Sequence, residues 1–205
     1  MQEKTQHVSE IDRLRGIAIF CVILGHAIIV YPMNLHEIPW CRYLYGMIYT
    51  FHMPLFFFIS GLCYRTQENY GIYILKKCKR LLLPYAVFGM IDILPRAFLP
   101  GLVNRSSSVG ESIEAMLFRG GQYWFLYALF IIFMLFPLIE KIWVSESAVY
   151  ISFSVLFAAG MISGYTTSLF TISSVLFHLP FFSAGVLIRR GRLSENSDSY
   201  RMKKG

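Results

Sequence analysis

An all-α, polytopic bundle of membrane helices is the fold class this sequence predicts, on three observations. The 205 residues are 56% hydrophobic and only 15% charged, far below the roughly 25% charge of a soluble globular chain. The apolar residues, 18 of them Phe, run on for the length of a membrane span instead of alternating with polar ones, which suits lipid as the solvent. Lys and Arg gather in alternate connections between those runs, the charge sorting of an inserted chain.

Six runs are long enough to cross about 30 Å of hydrocarbon at about 1.5 Å per residue. They cover 13–31, 43–64, 81–100, 124–142, 148–164 and 169–188. The first reads IDRLRGIAIFCVILGHAIIVYP; no small-residue cleavage site follows it and further runs do, so it is a span rather than a secretory signal. The second holds FHMPLFFFISG, where Pro54 removes a backbone donor and is expected to bend the helix. The third contains Pro84, Asp92, Pro95 and Arg96, and its two charges, one turn apart, are expected to pair. The Gly- and Ser-rich stretch 101–122 predicts a turn-rich cap with a short interfacial helix over 110–119. The fourth run opens GGQYWFLYALF and the sixth contains FHLPFF with His178. Residues 1–190 are expected to form a single transmembrane domain and 191–205 a polar cytoplasmic tail, its last residues SENSDSYRMKKG disordered.

The N-terminal segment, the 65–80 and 141–147 connections and the tail hold 15 of the 19 Lys and Arg residues. Both termini are therefore expected in the cytoplasm. The net charge of +7 follows from insertion and calls for no nucleic-acid partner. Cys21, Cys41, Cys63 and Cys78 show no paired spacing, so neither a disulfide framework nor a metal site is expected.

Chemistry points first to Arg15 and His26. Eleven residues apart, they share a helix face within about 20° and are separated by about 16 Å of rise. A cation thus sits at the cytoplasmic mouth and an imidazole deep in the span. A buried imidazole there is a functional residue by default, suited to take a proton from a hydroxyl and return it to a leaving group. Arg15 alone also fits a snorkelling anchor, and His26 alone a hydrogen bond across the bundle. His52, a second buried imidazole at similar depth, can meet His26 at one site. Ser60 beside Gly61 fits either a ligand contact or helix packing. Lys76, Lys77, Lys79 and Arg80 form either the ordinary cytoplasmic basic cluster or a phosphate-binding site. Gln122, Tyr123, Trp124 and Tyr127 fit an aromatic belt or a stacking surface for sugar.

These segments resemble the membrane-bound acyltransferase 3 family. LRGIAIFCVILGH carries its arginine–ten residues–histidine motif, and FHMPLFFFISG is similar to its second span in the fucose 4-O-acetylase branch. KRLLLPY and YWFLYALF follow in the family's order. The resemblance implies an enzyme that moves an acyl group, usually acetyl from acetyl-CoA, to a hydroxyl of a cell-surface or lipid-linked glycan. It implies His26 as base or acyl relay and Arg15 as its partner in donor binding or site organisation, with no bound cofactor. It extends donor or substrate binding to Arg80, Lys77, Lys79, His52, Ser60 and Trp124, lysine at 77 standing where the family has arginine. The expected location is the bacterial cytoplasmic membrane, multi-pass, in contact with lipid. Family members are usually longer, so the domain is expected to be incomplete relative to them, with a partner chain to complete the bundle. The alternatives are a transporter or flippase of a glycan or lipid precursor, and a non-catalytic remnant.

Overall fold

The computed structural model describes residues 2–29, 35–65, 69–98, 108–166 and 169–202, of which 2–9, 96–97, 169 and 192–202 are described by their backbone alone. Every element among the described residues is helical, with no strand. The helices are α1 (Gln2–Ile29), α2 (Pro39–Leu62), α3 (Tyr70–Lys77), α4 (Leu83–Phe98), α5 (Val109–Arg119), α6 (Trp124–Ile142), α7 (Glu146–Met161) and α8 (Ile172–Met202). Among them, Pro39–Leu62, Val109–Ile142 and Ile172–Gly191 contain stretches long and apolar enough to cross a membrane. α7 is apolar but spans only 16 residues, and α4 likewise 16.

Sequence chemistry places the helix ends. Asn69 caps α3 by accepting from the Ile72 amide at 3.1 Å, and Ser145 caps α7 by accepting from Ala148 at 3.2 Å. Ser108 and Glu111 form a reciprocal capping box on α5, which satisfies two amides that the first turn cannot. Gly120, at φ 77°, ends α5 in the left-handed region, where a side chain would be strained.

One expectation changes, and one feature is unforeseen. The stretch from Ser194, expected to be disordered, continues α8 to Met202, because extending a formed helix costs far less than nucleating one. α2 runs on as one helix through Pro54, where a bend is expected. α3 and α4 are joined by a π-helical turn, Cys78–Leu82, that sequence periodicity does not reveal. Pro84 explains it: it offers no amide to the Arg80 carbonyl and its ring crowds that carbonyl, so the turn just before it widens. The Asp92–Arg96 pair involves a side chain outside the described residues.

The packing forms two compact units. One comprises α1, α2 and α8 beyond Pro180; the other runs from α3 to Pro180. In the first, the α1 seam is Ala18, Cys21, Gly25 and Ile28, all buried, a three–four spacing that keeps one stripe against α2. Gly61 of α2 and Gly185 of α8 bring two backbones together: a Cβ on Gly61 would strike the Phe182 carbonyl, and one on Gly185 the Phe58 carbonyl. Small residues permit that approach between membrane helices. In the second, α6 packs against α3, the π turn and α7, and α4 packs against α5.

Candidate functional site

Arg15, His26, His52 and Ser60 fall in the first unit, and Lys77, Lys79, Arg80 and Trp124 in the second. Each group is therefore built on its own frame.

Two contacts set the register of α1 against α2. At one end an Arg15 guanidinium nitrogen donates to the Cys63 sulfur at 3.1 Å; at the other Gly25 lies against Tyr49 and Ile48. The helices are thus antiparallel, and His52 stands within about one turn, ~6 Å of rise, of the level of His26. Arg15 also pairs with Asp12 at 3.1 Å. That ion pair is half-exposed, so the Arg15 side chain is oriented rather than strongly stabilised. Neither Asp12 nor Cys63 is marked in the sequence as a partner of Arg15; only the antiparallel register brings Cys63 there.

The two imidazoles differ in setting. His52 is 2% exposed, its ring edge-on to Tyr49 with centroids 4.8 Å apart. Its Nδ1 lies 2.7 Å from the Ile48 carbonyl. A carbonyl only accepts, so Nδ1 carries a proton toward it and Nε2 points away from that bond. His26 is expected to be buried, yet it is exposed in the described chain. The reason is angular: Gly25 occupies the seam, and the next residue is turned by about 100°. Arg15 and His26 flank the α1–α2 seam rather than lie in it. Ser60 is half-buried, while its neighbour Gly61 makes the close helix contact.

In the second unit the basic cluster is divided. Lys77 places its ammonium 3.4 Å above the Phe133 ring and 5.3 Å from the Tyr73 ring, a cation–π arrangement. Lys79 and Arg80 lie on the π turn and are exposed. Beneath them, the Tyr73 hydroxyl donates to the Phe133 carbonyl at 3.2 Å and the Tyr70 hydroxyl to the Met134 carbonyl at 2.8 Å. Pro137 has no amide to offer Phe133 four residues back, and Tyr73 supplies the missing donor. Burial pushes the Tyr73 phenol up from its ordinary value, followed by the Tyr70 and Glu140 charges, so it remains a donor. Trp124 packs on His178, centroids 5.5 Å apart, and His178 Nδ1 meets the Ser174 carbonyl at 2.7 Å. Among the described residues, no group of three or more His, Cys, Asp or Glu gathers as a metal site.

With this geometry in place, comparison with known proteins adds the following. The model of the acyltransferase domain family matches residues 8–201. The chain is similar to the nodulation protein NolL of Mesorhizobium japonicum, 28% identical over 70% of this chain and 40% of that protein. It is also similar to the inner membrane protein YcfT of Escherichia coli K12, 25% identical over 85% of this chain and 54% of that one. The chain thus spans about half or less of the length of these relatives. No solved structure matches it. The apolar spans mark a membrane protein.

Proposed function

Since this chain belongs to the acyltransferase 3 domain family, we propose that it is a membrane O-acyltransferase. In this reading it moves acetyl from cytoplasmic acetyl-CoA to a hydroxyl of a cell-surface or lipid-linked glycan. The observation that carries it is the α1 constellation: Arg15 tied to the end of α2, and His26 on the same helix at the level of a second, hydrogen-bonded imidazole, His52.

His26 accepts the proton of the acceptor hydroxyl as its oxygen attacks the thioester carbon. The carbon–sulfur bond breaks, and the CoA thiolate leaves with the proton that His26 returns. Arg15 orients the donor at the cytoplasmic side, and the exposed Lys79 and Arg80 bind donor phosphates, Arg80 by its bidentate fork. Lys77 holds the helix pair through its aromatic contacts. His52 and Ser60 line the acceptor path, and Trp124 contacts substrate. The chain lies in the bacterial cytoplasmic membrane with both termini cytoplasmic, an orientation supported by its 15 inner Lys and Arg residues. A partner chain completes the bundle over the α1 face left exposed at His26.

Transfer of labelled acetyl from acetyl-CoA, in membranes carrying wild type or His26→Ala, tests this. Loss of about 100-fold or more is expected of the variant, the usual contribution of a positioned acid–base group. Equal incorporation would remove His26 from the mechanism. No product from correctly inserted wild type would overturn the enzyme reading in favour of a non-catalytic remnant.

A further inference from the structure

Tyr73 of α3 and Tyr85 of α4 both turn toward α6. The Tyr73 hydroxyl donates to the Phe133 carbonyl at 3.2 Å, and the Tyr85 ring stacks on Tyr127 with centroids 5.6 Å apart. Both tyrosines are buried, and they stand twelve residues apart. In an uninterrupted α-helix, at about 100° per residue, that separation would leave them about 120° out of line. The π turn between them is closed by a bond from the Leu83 amide to the Cys78 carbonyl, five residues back. It thus holds one residue more than an α-turn, which reduces the offset to about 20°. Both tyrosines reach α6 because the turn between their helices is wide.

The same extra residue decides which way Arg80 faces. Seven residues after Tyr73, Arg80 would lie within about 20° of it in a continuous α-helix, on the α3 face that packs on α6. Lys77 already occupies that seam, its ammonium 3.4 Å above the Phe133 ring, and a second cation there would be desolvated beside the first. Instead Lys79 and Arg80 are exposed, Lys77 is half-buried, and Leu81 is buried. The turn sorts the cations, Lys77 to the aromatic seam and Lys79 and Arg80 to water.

Pro84 holds the turn open. It has no amide for the Arg80 carbonyl and its ring crowds that carbonyl, so the chain at this point is kept from α spacing. π turns inserted into α-helices concentrate at functional sites. We propose that Pro84 is a positioning residue: through the π turn it keeps the Arg80 guanidinium out of the α3–α6 seam and open to phosphate oxygens. The phosphate ligand rests on the reading of Lys79 and Arg80 as donor-binding residues; the placement of Arg80 by Pro84 does not.

Spin labelling and coenzyme A binding, both on the full chain in lipid nanodiscs, test this. With the native cysteines replaced by alanine, a label at Arg80→Cys is open to a water-soluble relaxant, and one at Leu81→Cys is shielded. Pro84→Ala, which restores the amide, lowers accessibility at position 80 toward the value at position 81. Unchanged accessibility in both Pro84→Ala and Pro84→Gly overturns the proposal. Arg80→Ala and Pro84→Ala each weaken coenzyme A binding about 10-fold, as loss of a hydrogen bond to a charged group does. The double variant binds no more weakly than either single one, because a guanidinium already turned away has nothing further to lose. Additive losses would show Pro84 acting independently of Arg80 and overturn its positioning role. Wild-type affinity in Arg80→Ala would remove the donor-phosphate reading alone, and label accessibility would still decide whether Pro84 places Arg80.

Discussion

Gly61 occupies a point where any side chain meets backbone. Its Cβ would overlap the Phe182 carbonyl, and Gly185 is the reciprocal case against Phe58. A carbonyl belonging to a helix cannot swing aside like a side-chain tip, so Gly61→Ala should force α2 and α8 apart. Overpacking usually costs about 1–3 kcal/mol, and the upper end is expected here. Unfolding in mixed micelles would measure it, and a change under about 0.5 kcal/mol, the scatter of surface substitutions, would show that the helices separate freely. The same scale shows where sequence reading succeeds at single positions. Gly61 was legible as a small residue beside Ser60, yet its role in packing depends on which residue of α8 arrives. His26 was legible as an imidazole in an apolar run. Its exposure was not, because it depends on a seam centred one residue away at Gly25.

At the scale of elements, proline positions organise the second unit. Pro84 accounts for the π turn that carries Lys79 and Arg80, and Pro137 leaves the Phe133 carbonyl to Tyr73. A double-mutant cycle tests the latter. Tyr73→Phe should cost about 1 kcal/mol in the natural chain, the net worth of a typical hydrogen bond, and clearly less in the Pro137→Ala background, where residue 137 regains an amide. Additive costs would mean that Tyr73 is not replacing the missing donor. The helices themselves were largely readable: the run 124–142 coincides with α6, and the short helix expected over 110–119 is found as α5, Val109–Arg119. The π turn and the extension of α8 to Met202 were not readable. Hydropathy reports which residues avoid water, not how a carbonyl deprived of its amide is accommodated or how far a helix propagates.

For the whole molecule, the proposed orientation makes a direct prediction. In chains whose native cysteines are replaced by alanine, a membrane-impermeant maleimide applied to intact cells should label Gly110→Cys but not Ser197→Cys. The reverse pattern would invert the orientation and move Lys79 and Arg80 away from cytoplasmic acetyl-CoA. Composition, run length and the order of motifs determined by themselves that the chain is helical, belongs in a membrane and has Arg15 and His26 on one face of α1, because these follow from local periodicity and transfer free energy. Tertiary structure decided that Arg15 reaches Cys63, that His26 stands outside the α1–α2 seam while His52 is buried beside it, and that Tyr73 and Tyr85 both face α6 across the π turn. Those are meetings between residues distant in sequence, and they are settled by which helix faces are covered and which carbonyls and polar groups must find partners away from water.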